Sequence, residues 1–195
     1  MPEYKNKEIN NKGFSIYEVL VTVAIIAIMS TMAMVNFRSA GKKTELDMAA
    51  QKLASDIRKL QSYALNSKQV SDSTYGWGIY IKKQGNWGSE YFFYADGDKY
   101  NSNGHGEYNN GEKFGANIIL PDGISISSVT KNGDNNVNQE ININYFPPDP
   151  TICFQENGND CEDEISNIKD ITIILSNGSI AKKVKVNIFG LVDID

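Results

Sequence analysis

One acidic side chain sits where acids are rarely found. Glu18 is the only charged residue between Gly13 and Arg38, and the run from Val19 to Val35 carries no charge at all. An ionised carboxylate in an apolar helix costs roughly 2.5–3.5 kcal/mol on insertion scales, so it calls for a partner cation. A second group of acids lies in the segment DGDKYNSNGHGEYNNGE, from Asp96 to Glu112. Asp96, Asp98, Asn101, Asn103 and Glu107 are hard oxygen donors in a turning segment, with Glu112 a further acid at its end. Calcium takes about six to eight such oxygens, which makes this a candidate calcium loop. It is not an EF-hand, because Tyr100 occupies a ligand position and Asn101 replaces the obligatory glycine. A solvated surface loop has the same composition.

Other chemistries lack their residues. His105 is the only histidine, and it lies among Gly and Asn. No nucleophile with a positioned base can be assembled around it, and a zinc site needs several His or Cys ligands. No phosphate-binding GxxxxGK[ST] loop occurs. No enzyme is expected. Cys153 and Cys161 stand eight positions apart without the second pair of a zinc ribbon. In an exported chain they can close a small disulfide loop; in a cytosolic one they are two thiols. With 19 basic against 24 acidic residues and a formal charge of −5, nucleic-acid binding is disfavoured. Lys182, Lys183 and Lys185 form a short basic strand that reads best as a solvated sheet face. Tyr75, Trp77, Tyr80, Tyr91, Phe93 and Tyr94 can offer stacking surface, though such residues more often make core and cross-strand pairs.

The elements that carry these residues differ in period. Residues 1–13 are polar and end in Lys12-Gly13. The uncharged core that follows spans about 26 Å as a helix, against ~30 Å of bilayer hydrocarbon, and reads as a transmembrane helix over 14–37. An ordinary signal anchor would fit that length but would not account for Glu18. From 38 to 68 the helical pattern continues, with Leu46, Ala50, Leu53, Ile57, Leu60 and Ala64 on one narrow stripe. Gly41 is its soft spot. A continuous helix from Phe14 to Asn66 would be ~80 Å long. Residues 69–195 turn to alternation. Strands are expected at Tyr75–Lys82, Glu90–Ala95, Phe114–Leu120, Ile124–Thr130, Glu140–Phe146, Thr151–Gln155, Ile171–Ser176 and Ile180–Phe189. Turns are signalled at Pro121-Asp122-Gly123, Asn132-Gly133 and Asn177-Gly178. A helix followed by consecutive strands is an α+β chain: a long N-terminal helix packed on an antiparallel sheet head.

Gly13-Phe14-Ser15-Ile16-Tyr17-Glu18 followed by VLVTVAIIAIM resembles the class III signal of type IV pilins and type II secretion pseudopilins. The resemblance implies that prepilin peptidase cuts after Gly13 and methylates the new N-terminal Phe14. It implies too that Glu18 pairs with the N-terminal amine of a neighbouring subunit. Tyr17 departs from the usual aliphatic residue. Val35 stands where many major pilins carry a helix-kinking proline, which leans toward a pseudopilin or minor pilin. LASDIRKLQSYALNSKQV, YGWGIYI and the ending VNIFGLVDI resemble the corresponding parts of H-type minor pseudopilins. The implied partners are other pilin or pseudopilin subunits, the peptidase, a membrane assembly platform and the bilayer. The implied location is the cytoplasmic membrane, with the head outside the cytoplasm, and then a filament. A major pilin, or an anchored head binding calcium or DNA, is the alternative.

Overall fold

Residues 16–65 contain no proline and a single glycine. In the computed structural model they form one helix, α1 (Ile16–Leu65), which runs through Gly41 without a break. The structure describes residues 13–70, 74–84, 86–97, 106, 108–133, 135–137, 140–147, 151–156 and 168–195. Internal contacts divide the chain into two units, Met1–Gly41 and Lys42–Asp195.

In the second unit the stripe expected on the helix faces inward. Leu46 is 1% exposed, and Ala50, Leu53, Ile57, Leu60 and Ala64 are fully buried. Burying each of the larger side chains stabilises the fold by roughly 1.5–3 kcal/mol. The helix ends in a left-handed residue, Ser67, at φ 47°. The Ser67 N–H bonds the Ala64 carbonyl and the Lys68 N–H bonds the Tyr63 carbonyl, the Schellman pattern that satisfies the last orphan carbonyls. The indole of Trp77 donates to the Lys68 carbonyl at 2.8 Å, pinning this end to the first strand.

Eleven strands follow among the described residues: β1 (Gly76–Gln84), β2 (Asn86–Trp87), β3 (Glu90–Asp96), β4 (Lys113–Ile119), β5 (Ser125–Lys131), β6 (Asn135–Asn136), β7 (Glu140–Phe146), β8 (Thr151–Glu156), β9 (Asp170–Ser176), β10 (Ala181–Asn187) and β11 (Val192–Ile194). Every pairing is antiparallel, so the α+β class holds. The single sheet expected from sequence is two. One has the order β4-β3-β1-β7-β8 with β2 attached to β1, and the other the order β11-β10-β9-β5-β6. Helix residues from Leu46 to Ala64 join the apolar faces of both in one buried cluster.

β7 has the expected bounds, and most other strands fall within a residue or two of them. The C-terminus adds a turn and a further strand. The expected strand Ile180–Phe189 stops at Asn187, because the Asn187 side-chain oxygen accepts the N–H groups of Phe189 and Leu191. Gly190 turns the chain at φ 80°, and β11 folds back onto β10. The short strands β2 and β6 were also not anticipated, since two residues carry no periodicity to read.

Candidate functional site

Gly13, Phe14 and Ser15 precede the helix in extended or irregular backbone, and α1 begins at Ile16. Ser15 caps it. Its carbonyl accepts the N–H groups of Glu18 at 3.0 Å and Val19 at 3.2 Å, and its hydroxyl accepts the Tyr17 N–H at 3.3 Å. Ser15-x-x-Glu18 has the spacing of a capping box, a local signal that the sequence reading passed over. Glu18 thus lies in the first turn, where the helix macrodipole favours an anion. That weak, short-range interaction accounts for the acid's place at a helix start. It supplies no cation, and among the described residues Glu18 has no ion pair.

The site is open. Phe14 is 83% exposed and Tyr17 is 81% exposed, and a side chain added at Gly13 would meet nothing within 4 Å. Past Glu18 the apolar residues stay exposed all round, including Leu20, Ile26, Met29 and Met32. The hydroxyls in this stretch fold back on their own helix. Thr22 donates to the Val19 carbonyl, Ser30 to that of Ile26 and Thr31 to that of Ile28, at 2.7–2.8 Å. No donor is then left bare toward an apolar neighbour. A helix apolar on every side needs an apolar environment, from lipid or from other helices.

Residues 9–34 match the prokaryotic N-terminal methylation motif. No curated protein and no solved structure matches the chain. The methylation motif fits a pilin or pseudopilin subunit processed by prepilin peptidase, a family of structural and not enzymatic proteins. It covers Gly13, Phe14 and Glu18; residues 1–12 lie outside the described residues. Among the described residues no helix is long and apolar enough to cross a membrane.

The second candidate, the acidic loop, is only partly described. Asp96 is fully buried, and its carboxylate accepts the Gly106 N–H at 2.7 Å and an Asn144 amide N–H at 3.2 Å. Glu112 accepts the backbone N–H groups of Gly97 and Asn109, each at 2.8 Å. These two acids clamp the loop's ends. Asp98, Asn101, Asn103, His105 and Glu107 lie outside the described residues. Among the described residues no three His, Cys, Asp or Glu side chains are grouped to hold a metal ion. Cys153 is disulfide-bonded. The sequence holds one other cysteine, Cys161, outside the described residues. The basic strand is partly neutralised, with Lys182 3.3 Å from Asp47 and Lys185 3.4 Å from Asp170.

Proposed function

We propose that the chain is a non-enzymatic minor pilin or pseudopilin, a structural subunit of a type IV pilus or type II secretion filament. The observation that carries this reading is the exposed Gly13–Phe14 bond directly before a capped helix whose first turn holds Glu18 and whose surface is otherwise apolar. Cutting after Gly13 creates an amine at Phe14. Drawn among neighbouring helices, that amine is the cation Glu18 lacks, and a paired charge is far less costly in an apolar stem than a lone one. The segment 14–37 anchors the subunit in the bilayer before assembly, supported by the uncharged sequence from Val19 to Val35. A disulfide at Cys153 suits a head held outside the cytoplasm. The minor or pseudopilin subtype rests on Val35 in place of a kinking proline and on the H-type resemblance of the head.

Intact mass and N-terminal analysis of the membrane-extracted protein test the reading. A mature chain beginning with methylated Phe14 is expected, and a chain retaining Met1 would refute it. Gly13→Val should block cleavage. Glu18→Ala should leave processing largely intact yet impair incorporation into filaments; normal incorporation would remove Glu18 from the assembly role.

A further inference from the structure

The face of the first sheet turned away from α1 carries an aromatic cluster that assembly through the helix does not use. Phe92 and Tyr80 are cross-strand partners on β3 and β1, and Tyr108 joins them from the loop before β4. The three rings lie 4.8–5.1 Å apart, centroid to centroid. They wall a pocket of about 530 Å³, within the ~300–1,000 Å³ typical of small-ligand sites.

The rim is polar and of both signs. Lys113 lies 5.0 Å from the Phe92 ring centre and bonds the Asn117 side-chain oxygen, while the Asn117 amide donates to Glu90 at 2.8 Å. Lys82 stands opposite Glu140 in the β1–β7 register, and Glu140 accepts the Tyr80 hydroxyl at 2.6 Å. Lys82, Lys113 and Glu90 line the pocket itself, and Glu140 stands beside it on the Tyr80 hydroxyl. With both signs interleaved and two carboxylates close to the lysines, such a rim is poorly suited to a phosphate or a polyanion. It offers fixed donors and acceptors side by side around an aromatic wall, which is what a ring with apolar C–H faces and a girdle of hydroxyls requires.

We propose that this pocket binds a neutral glycan of all-equatorial pyranose rings, stacked against Tyr108 and hydrogen-bonded by Lys82, Glu90 and Asn117. The site is independent of the helix-borne assembly reading. The test uses the full chain in a zwitterionic detergent that has no sugar headgroup, with cellotetraose as the probe, by calorimetry and saturation-transfer NMR. Millimolar binding is expected. Tyr108→Ala should weaken it by about tenfold or more, the scale of one lost stacking contact, without moving the melting temperature. Should Tyr108→Ala lower the melting temperature, the exposed Asn117→Ala takes its place, with a several-fold loss expected. Absence of cellotetraose binding would overturn the proposal, as would binding unchanged by both variants. Salt-sensitive binding of single-stranded DNA or polygalacturonate, but not of cellotetraose, would replace it with an anion site.

Discussion

At the scale of single residues, two positions in the head have opposite sensitivities. Gly78 lies under the Tyr94 ring, and an added Cβ would come within 2.2 Å of it. The Tyr94 hydroxyl is held by the Gly106 carbonyl at 2.7 Å, so the ring cannot swing aside freely. Gly78→Ala should therefore destabilise the protein by about 1–3 kcal/mol, the usual cost of overpacking, measured by chemical denaturation. Tyr145 presents the reverse case. It is fully buried, and among the described residues its hydroxyl has no hydrogen-bond partner. Removing an unsatisfied buried polar atom relieves a desolvation cost of about 1–3 kcal/mol. Tyr145→Phe should leave stability unchanged or raise it, and a clear loss in the same assay would show that the hydroxyl has a partner.

At the scale of elements, the C-terminal end of α1 is the most informative junction. Ser67 adopts the left-handed conformation that glycine takes without cost. The strain falls on a side chain that the turn does not need. Ser67→Gly should raise stability by about 0.5–1 kcal/mol, read as a higher melting temperature. Lys68 follows, with its ammonium 3.7 Å from the centre of the Tyr63 ring, a cation–π contact that holds the cap against the helix. The β5–β6 hairpin illustrates a turn that local chemistry decides. Asn132 and Gly133 are both at positive φ, a region that Gly and Asn enter more readily than other residues.

At the scale of the whole molecule, buried tyrosines couple the fold to alkaline pH. Burial, with the hydrogen bond to Asp56 at 2.7 Å and its charge, holds the Tyr91 hydroxyl far above the ordinary tyrosine range. Burial alone does the same at Tyr145. Both groups keep their protons more tightly when folded than unfolded. Their contribution is therefore fully present below the unfolded tyrosine value of about 10 and is lost as pH rises above it, because only the unfolded chain ionises there. Unfolding free energy should stay flat through neutral pH with respect to these groups and fall above about pH 10. Tyr145→Phe should reduce that fall, which near-ultraviolet circular dichroism across denaturant titrations would record. The bond from Tyr91 to Asp56 also fixes the helix to the first sheet, and it persists there because the folded hydroxyl keeps its proton.

The N-terminal motif was legible in the sequence because its signal is local. Gly13, Phe14 and Glu18 lie within six positions, and the charge-free run after them needs no tertiary partner to be noticed. The buried stripe from Leu46 to Ala64 and the bounds of β7 were legible for a similar reason, since periods of 3.6 and 2 state which residues share a face. Those periods do not state which face meets which. The division into two sheets, the fold-back of β11 and the burial of Asp96 against Asn144 depend on partners distant in sequence, whose pairing is set by loop closure and packing. Only the tertiary structure brought Tyr80, Phe92 and Tyr108 together. Of these only Tyr80 was among the aromatics read as core or stacking surface; Phe92 and Tyr108 acquire a role through strand pairing and loop placement.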